Sequence, residues 1–156
     1  MHSSRRVSRI KVLQVLYAHV ISQDPIEKVK NDLLGEIKEE DKIEFASELI
    51  DKVLKNSAKL DKMIKDKIEN WEFERIALVD KLILRMGLSE ILHFPEIPPK
   101  VSINEAIEIA KEYCTKSSGK FVNGILDAIL TDLKNENKLN KSGRGLLDLK
   151  KKSNEK

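Results

Sequence analysis

Apolar residues recur along most of this chain with the 3.6-residue period that is typical of amphipathic helices. No stretch alternates apolar and polar residues over the length of a strand, and no turn dipeptide joins two β-rich runs. The pattern therefore predicts an all-α fold of about seven helices. Their approximate bounds are residues 4–22, 24–35, 41–54, 57–68, 74–94, 102–113 and 118–133.

Local signals refine three of these helices. Asp24 before Pro25 predicts an N-cap and a first helical position for the second helix. Ser102 and Glu105 have the spacing of a capping box and predict the start of the sixth helix. The fifth helix is apolar most of the way round, which is the pattern of a central, buried helix.

The helical pattern ends after Asn135. The residues that follow are rich in lysine, asparagine and glycine, and they hold too few apolar side chains to bury a core. We therefore expect residues 135–156 to form a disordered basic C-terminal tail. The alternative is a docking motif or transient turn formed by Leu146, Leu147 and Leu149.

Charge is distributed unevenly along the chain. The 156 residues, with 40% hydrophobic and 35% charged residues, are typical of one soluble globular domain. The net charge is only +3, but residues 1–11 hold four basic side chains and no acid, and residues 134–156 hold eight basic against three acidic side chains. Basic ends on an acidic body indicate a polyanion or an acidic partner, and they argue against coating of nucleic acid by the whole surface.

The sequence lacks the motifs of common enzymes and metal sites. It has no Gly-rich phosphate loop, no His-Glu-x-x-His and no Cys-x-x-Cys, and its three histidines lie far apart. The single cysteine, Cys114, is expected to be half-buried and unreactive. No apolar run approaches the roughly 20 residues of a membrane span. We expect a cytoplasmic protein that is not an enzyme and has no metal or cofactor.

One pair of residues suits an unpaired nucleotide. Lys120 and Phe121 follow the run Ser117-Ser118-Gly119, which we expect to be a flexible opening to the last helix. An amine in this position can contact phosphate, and the adjacent ring can stack on a base. The alternative is that Phe121 belongs to the core and Lys120 is merely solvated.

A second group lies in the first helix. Arg5, Arg6 and Arg9 are expected to share an exposed face, where planar guanidinium groups bind phosphates and bases. An ordinary solvated face is the alternative. Tyr17, two turns further along, either adds a stackable ring or belongs to the core. Trp71 is expected to be a core or staple residue.

Several longer segments resemble the NusB family of bacterial transcription antitermination factors. The motif Arg-Arg-x-x-Arg at 5–9, followed by Leu16-Tyr17, is similar to the start of that family. The most specific matches follow in the same order and spacing as in the family, and they are residues 79–90, 97–111 and 120–127. The resemblance covers about residues 4–133.

This resemblance implies two small helical bundles packed across each other, at about residues 1–70 and 71–134, followed by the basic tail. It implies binding of boxA RNA together with NusE, a ribosomal protein, and loading onto elongating RNA polymerase with other Nus factors. The outcome would be processive transcription of ribosomal RNA operons. The family's RNA contacts map onto Arg5, Arg6, Arg9, Lys120 and Phe121, and its partner contacts map onto Tyr17, Asp80 and Arg85.

Other interpretations remain open at this point. Asp80 and Arg85, five residues apart on one helix, would otherwise be read as a structural ion pair. The chain could be a helical adaptor that binds only protein. A NusB-like domain also precedes certain ribosomal RNA methyltransferases, but this chain has no βαβ region for their cofactor. A homodimer that covers the arginine face is a further alternative.

Overall fold

A computed structural model describes residues 4–147 and 149, and within them the chain is all-helical. These residues form eight α-helices and one short 3₁₀ helix, and they include no strand. The α-helices are α1 (Ser4–Ser22), α2 (Ile26–Leu34), α3 (Glu40–Lys55), α4 (Ser57–Lys65), α5 (Asn70–Arg75), α6 (Leu78–His93), α7 (Pro99–Tyr113) and α8 (Lys116–Asn135). The 3₁₀ helix is Gly143–Leu146. The all-α prediction is confirmed.

The helices group into two compact units. The first unit ends at Asn56 and the second begins at Ser57. We expected the boundary near residue 70, but α4 packs against α6 and α8 and therefore belongs to the second unit. In the first unit, α1 packs on both α2 and α3. Each of these helices contributes one apolar stripe to the core. The stripe residues include Val12, Val15, Leu16, Val29, Leu34, Ala46, Leu49, Ile50 and Val53.

The second unit is built around α6. Its apolar side chains point in all directions and are covered by α4, α7 and α8, as expected for a central helix. Gly87 lies where α8 approaches closely, because a Cβ atom there would be 2.8 Å from a methyl carbon of Leu126. The buried residues of α6 are Leu82, Ile83, Leu84, Met86, Gly87, Leu88, Ser89, Glu90 and Ile91.

The predicted fifth helix is wrong in one respect, because it is divided into α5 and α6. Ile76 and Ala77 lie between them with extended backbones, with ψ angles of 132° and 145°. Both residues are apolar and fit the helical period, so the pattern of side chains does not reveal the break. The break gives α6 an N-terminus of its own, close to Asp80.

Two predicted caps are also wrong. Asp24 does not cap α2, which begins at Ile26, and its carboxylate instead lies 3.2 Å from the ammonium of Lys28. Ser102 does not open α7, because the helix already begins at Pro99, a residue that suits the first helical position. The buried Ser102 hydroxyl donates to the carboxylate of Glu90 at 3.0 Å. It therefore joins α7 to α6.

A bidentate ion pair joins α4 to α6. The Nε of Arg85 donates to Oδ1 of Asp61 at 2.7 Å, and a terminal nitrogen of Arg85 donates to Oδ2 at 2.9 Å. Both side chains are largely shielded from solvent. Asp80 accepts instead from Ser118, so the reading of Asp80 and Arg85 as a pair is wrong.

The chain after Asn135 turns back onto the end of α6. Lys141 is only 9% exposed, and its ammonium donates to the carbonyls of Glu90 at 3.2 Å and Phe94 at 2.9 Å. Gly145 lies so close to Pro95 that a Cβ atom would be 1.9 Å from the proline carbonyl oxygen. The expected solvated tail is therefore wrong for Lys141 and Gly145, which are buried, whereas residues 142–144 between them are exposed. Residue 148 and residues 150–156 of the predicted tail lie outside the described residues.

The pair of Arg85 with Asp61 should contribute measurably to stability. We expect a double-mutant cycle of Arg85→Ala and Asp61→Ala to give a coupling energy of about 1–3 kcal/mol, because both hydrogen bonds are charge-assisted and shielded. The exposed pair of Lys111 with Glu108, on α7, is the matched control, and its coupling should stay below about 0.5 kcal/mol. Urea unfolding of the four proteins in each cycle measures both. Equal coupling in the two cycles would contradict this role.

Lys141 should make stability depend on pH. Burial, against the opposing charges of Glu90 and Glu96, lowers the pKa of Lys141 to about 8 in the folded protein. An unfolded lysine has a pKa of about 10.4, so the unfolded chain holds more protons between these two values. Stability conferred by Lys141 should therefore rise as pH increases from about 8 to about 10.

Urea unfolding at several pH values, with wild type compared with Lys141→Ala, measures this dependence. The difference in free energy of unfolding should grow in favour of wild type across that window. Lys138→Ala is the matched control, because Lys138 is exposed and pairs only with Glu136 among the contacts of the described residues. A difference that is constant with pH would show that Lys141 is not buried in this way.

Candidate nucleic-acid interface

An open hollow of about 720 Å³ lies where α6 and α8 begin in the second unit. Its wall is formed by α5, the first turn of α6, the end of α7 and the first turns of α8. Three aromatic residues line it, one from each of three helices: Trp71, Tyr113 and Phe121. The hollow thus combines rings with the ends of several helices.

The start of α8 is held in place by hydrogen bonds. Thr115 is the N-cap, and its hydroxyl accepts from the backbone N–H of Ser118 at 3.1 Å. The Ser118 hydroxyl in turn donates to Oδ2 of Asp80 at 3.1 Å, which joins the first turns of α8 and α6. We expected Ser117 to Gly119 to be a flexible opening, but all three residues lie within α8. That expectation is wrong because the sequence analysis overlooked the threonine cap.

Lys120 and Phe121 lie on the turn that follows this cap. Lys120 is exposed, and Phe121 is half-buried in the wall of the hollow. Gly119 is buried against α7, where a Cβ atom would lie 2.9 Å from Cγ of Lys111. Because α8 approaches α7 closely at Gly119, that side of the turn is buried, whereas Lys120 remains on the surface.

Two rings of the hollow were missed by the sequence analysis. Trp71 was expected to be a core or staple residue but is 60% exposed, and Tyr113 is 43% exposed. The buried ring of α5 is Phe73, two residues further along. The sequence does contain an indication of this exposure. Trp71 lies in the mostly polar run Glu-Asn-Trp-Glu-Phe-Glu-Arg, and a short helix with this composition can bury only one face. Trp71 and Phe73, two residues apart, do not share that face.

The polar groups at the base of the hollow are unsuited to nucleophilic chemistry. Burial, and after it the nearby Asp80 carboxylate, raise the pKa of the Cys114 thiol to about 12. At neutral pH the thiol is therefore protonated, which agrees with its expected low reactivity. Oδ1 of Asp80 is buried and has no hydrogen-bond partner among the described residues.

The arginines of α1 do not all share one exposed face. The guanidinium groups of Arg5 and Arg9 lie 4.5 and 5.3 Å from the centre of the Phe45 ring. Arg5 remains exposed and Arg6 is half-buried, but Arg9 is only 3% exposed. The prediction of an exposed face is therefore wrong for Arg9, because Phe45 of α3 draws its side chain into the first unit. Phe45 itself is buried, at 6% exposed, and spacing within α1 alone does not reveal this contact.

The residues assigned to a partner protein have different environments. Tyr17 is 43% exposed on α1, and Val20 and Ile21, one turn further, are exposed too. Asp80 lines the hollow, whereas Arg85 is held by Asp61. Of the predicted site residues, the structure brings Asp80 and Phe121 together in one hollow.

Two features are absent from residues 4–147 and 149, a metal-binding cluster and a membrane-spanning helix. In that part of the chain, no three His, Cys, Asp or Glu side chains gather into a group that could hold a metal ion. Nor does any helix there have the length and apolar character needed to cross a membrane.

The fold and the hollow define a class of protein: an all-helical protein with an open surface hollow lined by aromatic rings. A model of the NusB family matches residues 6–131. This chain belongs to the NusB family. The resemblance noted in the sequence is confirmed, and it extends over most of the chain.

Two curated relatives illustrate the similarity. The transcription antitermination protein NusB of Chloroherpeton thalassium is 44% identical over 151 residues, which cover 94% of this chain and 70% of that protein. The transcription antitermination protein NusB of Salinibacter ruber is 45% identical over 149 residues, covering 94% and 93% respectively.

Solved structures share the fold. NusB of T. maritima superposes with a TM-score of 0.76 at 38% identity, covering 83% of this chain and 92% of that one. A crystal structure of the antitermination factors NusB and NusE in complex with double-stranded RNA has a chain with the same TM-score at 25% identity, covering 85% and 99%. NusB of Aquifex aeolicus has a TM-score of 0.72 at 26% identity, covering 89% and 95%.

Proposed function

We propose that this chain is a transcription antitermination factor that binds boxA-type single-stranded RNA together with the ribosomal protein NusE. In this role it joins the elongating RNA polymerase with other Nus factors and supports processive transcription of ribosomal RNA operons. The names of its relatives and the solved assembly of NusB, NusE and RNA support the proposal. Such a role is that of a non-catalytic cytoplasmic protein.

The observation that carries the proposal is the turn that holds Lys120 and Phe121. An exposed amine stands beside a half-buried ring, and that ring lines a hollow with two further exposed rings. Unpaired bases stack on such rings, and the phosphates between them bind amines. The capped, hydrogen-bonded start of α8 supports the turn, so little ordering is needed on binding.

The arginines of α1 supply the second part of the RNA surface in this proposal. Arg5 and Arg6 retain exposure to solvent and can reach phosphates, although Arg5 also lies over Phe45. Arg9, which the family pattern also assigns to RNA, has little exposed surface to offer. We therefore assign phosphate contacts to Arg5, Arg6 and Lys120, whereas Arg9 is assigned to the packing of the first unit beside Phe45.

Partner contacts are proposed separately for each unit: Tyr17 in the first unit and Asp80 in the second. Tyr17, Val20 and Ile21 form an exposed apolar strip on one face of α1, and strips of this kind are typical of protein contacts. Asp80 lines the hollow, where its Oδ2 accepts from Ser118 and its Oδ1 is buried, so a partner would meet it beside the joined starts of α6 and α8. Arg85 belongs to the family's partner set as well, but its bidentate bond with Asp61 gives it a structural role that competes with such a contact.

Salt dependence tests the arginine assignment. Each phosphate of a single strand that is neutralised contributes roughly 0.7 to the slope of log K against log salt concentration. The double variant Arg5→Ala with Arg6→Ala should flatten that slope by up to about 1.4. Arg9→Ala is the matched control and should change the slope little, because its side chain is buried. If Arg9→Ala stays folded and flattens the slope as much as the double variant does, the assignment of phosphate contacts to Arg5 and Arg6 and not to Arg9 is contradicted.

Phe121→Ala tests the stacking assignment. Loss of the ring should weaken binding of a boxA-type RNA by about 1–3 kcal/mol, the usual range for base–aromatic stacking. The loss of stability should remain below the roughly 3–5 kcal/mol that is typical of a fully buried phenylalanine. Gel shifts and urea unfolding on the same variant measure the two effects.

A buried phenylalanine provides the matched control for this test. Phe94→Leu changes a ring that is 2% exposed, so it should lower stability without weakening RNA binding at a temperature where the variant is folded. If Phe121→Ala loses stability and keeps its RNA affinity, Phe121 is a core residue. If wild type shifts no RNA with or without NusE, the chain is a protein-binding adaptor.

A further inference from the structure

We propose that Trp71 is a second base-stacking platform, which extends the RNA path from Phe121 across the hollow to α5. The inference rests on the proposed function and identifies where the bound strand continues. It assigns a binding role to α5 (Asn70–Arg75), a six-residue helix whose Trp71 and Arg75 side chains both line the hollow.

Exposure is the first observation. Trp71 is 60% exposed, although tryptophan is one of the residues that gains most from burial. The same short helix buries Phe73 fully, so α5 has an anchoring ring and does not use Trp71 to hold itself in place. An indole held at the surface in this way is a large flat area that is ready for a flat ligand.

The second observation is the contact of Arg75 with the Trp71 ring. Its guanidinium lies 5.4 Å from the centre of the Trp71 ring, and Arg75 is itself exposed. A cation in this position restricts the indole, so that less rotational freedom is lost when a base stacks on it. The guanidinium can also pair with the phosphate that accompanies that base. On α8 the cation Lys120 is next to Phe121 in the sequence, whereas on α5 the cation lies over the ring itself.

The position of the rings favours RNA over a protein partner. Trp71 and Phe121 line one continuous hollow but come from different helices, so they are separate platforms along a single surface. A tryptophan that anchors a protein interface usually lies in an apolar pocket from which water is fully excluded. The neighbours of Trp71 along α5 are the charged residues Glu72, Glu74 and Arg75. Of these, Arg75 alone can pair with a phosphate, so the RNA contact on α5 rests on base stacking and on this one cation.

The chain carries its own reporter for this contact. Trp71 is the only tryptophan, so intrinsic fluorescence reports on this residue alone. Titration of wild type with a single-stranded boxA-type 12-mer should quench the emission along the same curve as a gel shift. RNA binding in the gel shift with unchanged emission would overturn the inference. Quenching by NusE and not by RNA would also overturn it, because Trp71 would then belong to the protein interface.

Variants test the energetic contribution. Trp71→Ala should weaken RNA binding by about 5- to 150-fold, the equivalent of one stacked base. Trp71→Phe should restore most of the affinity, since it keeps a stackable ring. The thermal midpoint of both should stay near that of wild type, because the indole is exposed. Val101→Ala, which removes another exposed apolar side chain of the second unit, is the matched control and should bind as wild type does.

Shortening the RNA distinguishes stacking from an indirect effect. Removing nucleotides one at a time from each end should reach a length at which Trp71→Ala no longer differs from wild type, because the base that it contacts is gone. A penalty that persists on every RNA that still binds would overturn the stacking role.

Phe121→Ala in the same assay separates two kinds of failure. If Phe121→Ala weakens binding and Trp71→Ala does not, the Trp71 platform is wrong and the proposed function stands. If neither variant changes the affinity, or wild type binds no RNA, the proposed RNA site itself fails.

Discussion

The second unit depends on the burial of a helix that is apolar most of the way round. The apolar side chains of α6 lie on several sides of the helix, so α4, α7 and α8 all pack against it. At the C-terminal end of α6, the ammonium of Lys141 donates to the carbonyls of Glu90 and Phe94. Each carbonyl also accepts a backbone N–H, so Lys141 adds a second contact that holds the later chain against the end of α6.

The other end of α6 has a different consequence. Asp80 lies in the first turn, where the helix dipole favours a negative charge, and it accepts from Ser118 of α8. This hydrogen bond joins the first turns of α6 and α8, and Thr115 caps the start of α8. Rings contributed by α5, α7 and α8 then surround a hollow whose walls are regular helices. A rigid surface of this kind suits a flexible strand, because the strand alone must be ordered on binding.

Pairs of rings and cations recur in the structure, and burial decides what each pair can do. Phe45 lies beneath Arg5 and Arg9, and Phe73 lies beneath Lys65 and Lys81 at 4.7 and 4.6 Å. Both of these rings are buried, so their cations cover the edge of a core and help to hold it. The pair of Trp71 with Arg75 uses the same interaction on the surface, where the ring remains accessible to a ligand.

Helical periodicity was enough to predict the all-α fold, the central position of α6 and the bounds of α1, because these follow from local side-chain spacing. The order and spacing of the motifs along the sequence also indicated the NusB family. The sequence did not reveal the break at Ile76, the burial of Arg9 beside Phe45, the exposure of Trp71 or the docking of Lys141 on α6. Arg9 and Lys141 are buried by residues that are distant along the chain, and Trp71 is exposed because Phe73 is the ring of α5 that reaches the core. Periodicity reports which residues share a face, whereas only tertiary packing decides whether that face meets protein or solvent.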